Sequence, residues 1–524
     1  MNLLLVSMQV EEKYYMEEIG MEYLDSYIKN KCQECQYVRL IYCNKLNEIE
    51  KALEENEYDF IGFGTYDKNI IFIISLLYSI KARHPNLRII LGGYGASVHY
   101  TEIMDNYRLV DHIIIGEGEI PLSWLLKGVD YPNIPRLTYR TNDGWELGKG
   151  KVFVEDLNEL PYPEHNIMRY SDSKVINIST TRGCYGNCSF CLSPSFWNNR
   201  LNKRWRARSI ESIINEISFL CNGTYKQFNF IDNSFEDNPS VEKRTLNLAQ
   251  SIIDHEIKIK YYVSMRSTCY KTFSDADMEL LVQSGLTCVF LGVESFNDTE
   301  LKLYNKGLTL IDNMNCIEFL MKHEVNIDIG FINLNPYSTI ETLKKNAMYL
   351  HKYQFSSLYH YFSKLMIFRG TTIYAKIEKD GLLKNGNSYN NMYGYDFVNS
   401  EIQRINDRIL IIQKQNDIRD ISSKSEYYTH YFKNIFQCSL YYFEKTKNWK
   451  MIELIKVCKS IYKSLIKELN DYIYYIFLLV IKNKEVEMQI NVNLAIQCIE
   501  NLDILRNDMI TNMYKEDSDV HKFI

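Results

Sequence analysis

Two runs of alternating strand-like and helix-like segments, parted by a proline-rich stretch, constrain this chain more than any other feature. In residues 1–150 the apolar runs Asn2–Val6, Tyr37–Tyr42, Phe60–Gly64, Arg88–Leu91 and Asp111–Ile115 are separated by helical spacing at Lys13–Lys31, Leu46–Glu55 and Ile70–Arg83. Strands that alternate with helices predict a parallel, doubly wound, Rossmann-like sheet, because each parallel pairing needs a crossover. Glycines follow several of these strands, on the edge where such sheets bind ligands. A second series predicts strands at Val175–Ser179, Gln227–Ile231, Lys258–Val263, Cys288–Val293, Asn326–Phe331 and Ser357–Ile367. Six strand–helix units fall short of a closed eight-unit barrel, so a partial (β/α)6 TIM-type barrel is expected. Four of the nine prolines, Pro132, Pro135, Pro161 and Pro163, cluster between the two runs. They mark a linker, with a small hairpin of Leu137–Tyr139 and Val152–Val154 beside it. Long amphipathic segments follow Ser400 and predict a helical C-terminal region. The expected divisions are an α/β N-terminal domain at 1–150, a linker at 151–172, the barrel at 173–375 and helices at 376–524.

The formal charge of −6 over 524 residues gives no basis for a sequence-independent grip on nucleic acid, which needs a strongly basic face. No segment reaches the ~18 apolar residues of a membrane span. The start, Met1 to Val6, lacks a basic n-region and reads as a strand, so a cytoplasmic location with no membrane partner is expected. Thirteen cysteines without an export signal point to metal or redox chemistry before a disulfide framework.

The chemistry is concentrated in Thr180-Thr181-Arg182-Gly183-Cys184-Tyr185-Gly186-Asn187-Cys188-Ser189-Phe190-Cys191. Three cysteines at C-x3-C-x2-C sit directly after a predicted strand. A 4Fe–4S cluster takes four thiolates, so three leave one iron open to a small chelating ligand. Gly183 and Gly186 let the loop wrap tightly and free backbone N–H groups to reach sulfur. Zinc would want a fourth Cys or His close by, and the segment offers none.

This segment resembles the signature of the radical S-adenosylmethionine (SAM) superfamily, including the aromatic Phe190 before the last cysteine. The resemblance covers roughly residues 173–375. It implies a cluster on Cys184, Cys188 and Cys191 whose open iron chelates SAM. An electron then cleaves SAM to methionine and a 5′-deoxyadenosyl radical, which takes hydrogen from a substrate. A reductase or flavodoxin is the implied electron donor. Leu291-Gly292-Val293-Glu294-Ser295 looks like the family's fourth-strand segment, which implies a SAM contact from Glu294. Gly330 within Asp328–Ile332, Arg266 after the third strand, and Asp232 with Asn233 after the second are the other SAM-contact candidates. Arg369-Gly370-Thr371 is similar to the sixth-strand exit.

Residues 1–150 resemble the cobalamin-binding-type domain that precedes many such cores. The matching pieces are Gly62-Phe63-Gly64, Gly92 to Ser97, and Gly116-Glu117-Gly118-Glu119. Gly64, Gly93, Tyr94, Gly116 and Glu117 are thereby the cobalamin candidates. The D-x-H-x-x-G of histidine-ligating cobalamin domains is absent, since the turn after the first strand reads Ser7-Met8-Gln9-Val10-Glu11. Bound cobalamin and a vestigial or substrate-binding Rossmann domain both stay open. The combined architecture implies methyl transfer to an unactivated carbon of a peptide or small natural product. The rivals are a radical epimerase or cyclase of a ribosomally made peptide, and a non-enzymatic metal-site protein. No residue is assigned a catalytic role. The lone Cys32-Gln33-Glu34-Cys35 pair lacks partner ligands. A hydrogen-atom donor among Cys221, Cys269, Cys288, Cys316 and Cys438 is open, and Tyr389–Tyr395 is expected at the surface or a substrate entrance.

Overall fold

The structure, a computed structural model, describes all residues except 10–16, 67–68, 170–174, 198–204, 222–225, 237–242, 385–393 and 517–524. The first sheet has seven strands: β1 Asn2–Met8, β2 Tyr37–Cys43, β3 Phe60–Gly64, β4 Arg88–Gly92, β5 His112–Ile114, β6 Leu137–Thr141 and β7 Gly144–Leu147. Their order is β2-β1-β3-β4-β5-β6-β7, with β1 to β5 parallel and β6 and β7 antiparallel. The parallel strands are apolar nearly throughout because helices cover both faces. The strand order reverses between β1 and β3, so the crevice for a ligand opens there, at the carboxyl ends. The expected hairpin of 137–139 with 152–154 is corrected: β6 pairs with β7 across Asn142-Asp143, and Asp143-Gly144 is the turn signal.

The second sheet is parallel, in the order β14-β13-β12-β11-β8. Its strands are β8 Val175–Ile178, β11 Lys226–Phe230, β12 Ile259–Arg266, β13 Leu286–Glu294 and β14 Asn326–Phe331. Two short strands, β9 Thr181–Gly183 and β10 Trp205–Ala207, form a separate antiparallel ribbon that carries the start of the cysteine loop. In β12 every second residue is buried (Ile259, Tyr261, Val263, Met265), which turns Tyr262, Ser264 and Arg266 to the opposite face. β14 follows the same rule and sets Asp328 and Gly330 on that face.

The sixth strand is a correction. Ser357 caps a short helix, Leu358–Phe362, and the expected strand shrinks to one parallel bridge between Leu334 and Lys364. The barrel sheet is therefore five-stranded among the described residues. Helices Ser400–Ile412, Asn416–Lys445, Trp449–Lys482 and Glu485–Glu516 follow, and their core is continuous with that of the barrel. Tyr361 and Phe362 both pack on Phe477, and His351 meets Asp471 at 2.6 Å. Tyr395 is buried, its hydroxyl donating to the Leu365 carbonyl, so it plugs the core and does not line an entrance. Tyr389 and the rest of that loop to 393 lie outside the described residues. No described helix is long and apolar enough to cross a membrane.

Candidate active site

The cysteine loop leaves β9 through Gly183 and is pinned at its far end. Ser189 donates its N–H to the Tyr304 carbonyl (2.9 Å) and its hydroxyl to the Leu303 carbonyl (2.7 Å). Phe190 stands edge-on to Tyr304 at 5.6 Å. The Gly186 N–H donates to Cys184 Sγ (3.3 Å), and the Ser193 N–H to Cys191 Sγ (3.4 Å). Arg266 Nη1 lies 3.8 Å from Cys188 Sγ. Each sulfur thus has a donor, the environment a thiolate ligand needs. Burial pushes the Cys184 thiol up and the Cys191 thiol up to about 11, and metal binding at a thiol releases its proton. Among the described residues no three metal-ligating side chains converge on a single ion. In a cubane each thiolate binds a different iron, so sulfurs spread around a loop fit a cluster and do not fit a mononuclear site.

Glu294 ends β13 at a register shift, with φ of 62°. A non-glycine residue in this left-handed region is strained, and such strain clusters at functional sites. Its carboxylate pairs with the buried Lys306 at 3.2 Å and lies 3.4 Å from where a Cβ on Gly330 would stand. Lys306 escaped the sequence reading because it sits in an irregular turn after the helix Asp298–Leu303.

Asp232 does something other than expected. It is buried and accepts from the backbone N–H groups of Thr180 (2.7 Å) and Thr181 (2.8 Å) and from the Thr180 hydroxyl. Its carboxylate fixes the segment that leads into the cysteine loop, a scaffold use of this residue. Asn233, one residue on, does face the mouth of the barrel.

There a cavity of about 390 Å³ opens between the carboxyl edge of the first sheet and the barrel mouth. Gly64, Gly93, Tyr94, Gly116 and Glu117 line one side, and Asn177, Thr181, Arg182, Phe196 and Asn233 the other. Gly93 is obligatory: its φ is 86°, and a Cβ would stand 2.7 Å from the Thr65 carbonyl oxygen. Tyr94 stacks on Phe196 with ring centroids 4.0 Å apart, joining the two walls. Glu18, unremarked in the sequence, is a buried carboxyl on this wall, and burial pushes it up to about 8.

Glu117 is also committed to structure. It pairs with Arg206, and it accepts from the Val154 N–H (3.0 Å). Arg182, two residues before Cys184, meets Glu119 at 2.6 Å. His165 lies between Glu17 (2.6 Å) and Glu216 (3.7 Å). The Arg206 and Arg182 pairs lock the first domain to the cysteine ribbon, and His165 ties the linker to Glu17 and to Glu216 on the helix Ile210–Cys221. Of the remaining cysteines, Cys269 and Cys316 are buried against each other at 3.2 Å.

The family model described as the radical SAM superfamily matches residues 178–350, and that of the B12 binding domain matches residues 9–126. This chain carries a radical SAM domain and, ahead of it, a B12-binding domain. The family's cofactors are a 4Fe–4S cluster and SAM, and the second domain adds cobalamin. The enzyme is 23% identical to an uncharacterized methyltransferase of Pyrococcus horikoshii, over 64% of this chain and 73% of that one. It is 26% identical to an anaerobic magnesium-protoporphyrin IX monomethyl ester cyclase of Synechocystis, over 48% of this chain and 51% of the cyclase. Among solved structures, the cobalamin-dependent SAM radical enzyme OxsB, with aqua-cobalamin and SAM bound, superposes with a TM-score of 0.71 at 17% identity. That match covers 97% of the enzyme and 84% of OxsB. The radical SAM methyltransferase TsrM from Kitasatospora setae gives a TM-score of 0.57 at 17% identity, over 67% of this chain and 71% of TsrM.

Proposed function

We propose that the enzyme transfers a methyl group to an unactivated carbon of a small natural product or a peptide, in the cytoplasm, with electrons from a reductase or flavodoxin. When bound, the cluster with SAM supplies a 5′-deoxyadenosyl radical and cobalamin supplies a methyl group. The observation that carries this reading is the cavity: one space is walled by the cobalamin-domain glycines on one side and by barrel-mouth residues on the other.

In this reading Cys184, Cys188 and Cys191 hold the cluster. Glu294 and Lys306 form a fixed anion–cation pair beside it, complementary to the ammonium and carboxylate of an amino-acid end such as that of SAM. A Cβ on Gly330 would crowd the Phe290 ring (3.1 Å) and the Glu294 carboxylate (3.4 Å). Asn177 and Asn233 offer polar groups at the mouth, and the ion-paired wall around Arg182 excludes water.

The second reading is a radical cyclisation or rearrangement without methyl transfer. It is favoured by relatives named as a cyclase and as 4′-phospho-dehydrooxetanocin synthase, the latter of Priestia megaterium and 24% identical over 63% of this chain and 47% of that one. Anaerobic turnover with SAM carrying a deuterated methyl group, dithionite and cobalamin separates the two. Methyl transfer predicts 5′-deoxyadenosine together with a product three deuteriums heavier per methyl. Rearrangement predicts 5′-deoxyadenosine with no label in the product.

A further inference from the structure

We propose that Arg266 sets the reduction potential of the cluster by holding a fixed positive charge against its cysteine ligands. The inference rests on reading Cys184, Cys188 and Cys191 as those ligands. Arg266 ends β12 on the face opposite the buried one, which points it into the barrel mouth. Its guanidinium does not extend into open space. Nη2 donates to the Lys306 carbonyl at 2.5 Å, and Nη1 lies 3.8 Å from Cys188 Sγ. A Cβ on Gly186 would come within 2.5 Å of Nη1, so glycine lets the guanidinium lie closely against the loop. The guanidinium also lies 5.7 Å from the centroid of the Tyr185 ring.

The charge is left uncancelled. The buried carboxyl of Glu236 accepts from the Arg266 backbone N–H (2.9 Å) and from the Tyr185 hydroxyl (2.9 Å), and makes no ion pair with the guanidinium. Among the described residues Arg266 has no carboxylate ion pair. The family resemblance implies a SAM contact at this position, and the 3.8 Å to Cys188 Sγ adds a use that the sequence did not indicate.

The electrostatics have one sign. A cluster on three thiolates gains one electron on reduction, no bond breaks, and its negative charge grows by one. A fixed cation beside it stabilises the more negative state and raises the potential. A radical SAM cluster must be reduced before it can act, so Arg266 would make it accessible to a milder donor.

The test is a redox titration of the reconstituted protein without SAM, followed by electron paramagnetic resonance, so that a lost SAM contact does not enter. R266Q with full iron and sulfide content is expected to show a tenfold poorer reduction equilibrium, about 59 mV lower for one electron. R266K, which keeps the charge, is expected within about threefold of the parent. An unchanged potential in R266Q, or an equal drop in R266K, overturns the proposal. R266M backs up the glutamine variant. If both neutral variants fail to hold a cluster that R266K holds, Arg266 is structural and the proposal falls. A parent protein that assembles no cluster refutes the ligand reading instead.

Discussion

Replacing Cys184, Cys188 or Cys191 with alanine is expected to abolish 5′-deoxyadenosine formation from SAM and dithionite. The three sulfurs act as a unit. Each bonds to its own iron, so losing one leaves two irons without protein ligands and releases the cluster. Residues that act as a unit are strongly non-additive, so each single variant should lose activity on the order of 10³-fold or more, and a double variant should lose no more. Iron and sulfide analysis of the same preparations should fall in step. A single alanine variant that keeps both its iron and its SAM cleavage would remove that cysteine from the ligand set. The fold itself should survive, because the barrel core lies behind the loop and the ribbon β9–β10 is built from backbone pairing.

The second large effect belongs to the lock between the two sheets. Arg182→Met leaves Glu119 buried without its partner. Burial alone would raise the Glu119 carboxyl, but Arg182 outweighs it and holds the group below its ordinary value. Breaking such a buried pair costs about 3–5 kcal/mol, whereas replacing both partners by apolar groups costs far less. Thermal melts should therefore show R182M well below the parent and the double variant R182M/E119L recovering most of the difference. Because Arg182 precedes Cys184 by two residues and lines the cavity, R182M should also retain less cobalamin through gel filtration.

A second buried cluster, His165 with Glu17 and Glu216, gives a pH dependence. Burial pulls His165 down, but Glu17 and Glu216 outweigh it and hold it up at about 9, against an ordinary 6.5. A raised folded value contributes stability that is complete below pH 6.5 and lost as pH rises through 9, on the order of 3 kcal/mol. Glu18, pushed up to about 8 by burial, acts in the same direction between pH 4.5 and 8. H165Q should remove the fall between pH 8 and 9, reduce its slope between pH 6.5 and 8, where Glu18 also acts, and leave it unchanged below 6.5.

Much of this was legible in the sequence, for identifiable reasons. The parallel strands are short apolar runs of fixed spacing, and the cysteine spacing is rare enough to name its chemistry. Ser357–Ile367 misled because an aromatic-rich apolar run has no period that separates strand from helix, and only the Ser357 cap decides. The clamp made by Asp232 was not legible, because a polar residue at a strand end reads the same whether it faces a ligand or holds a neighbouring turn. Lys306 and Arg182 find their partners 12 and 63 residues away, across turns and domains that no local pattern reports. Glu18 is known as a wall residue only once the glycine-edged cavity is closed by the barrel.

Methyl transfer of the proposed kind requires the cluster with its SAM and the cobalamin to face one substrate space. Electron paramagnetic resonance on anaerobic protein carrying both cob(II)alamin and the reduced cluster tests it most directly. Spin coupling between the two centres, seen as broadened cob(II)alamin lines that sharpen when the cluster is reoxidised, is the predicted result. Two full-intensity signals with no mutual broadening, or a protein that binds a cluster but no cobalamin, would contradict it.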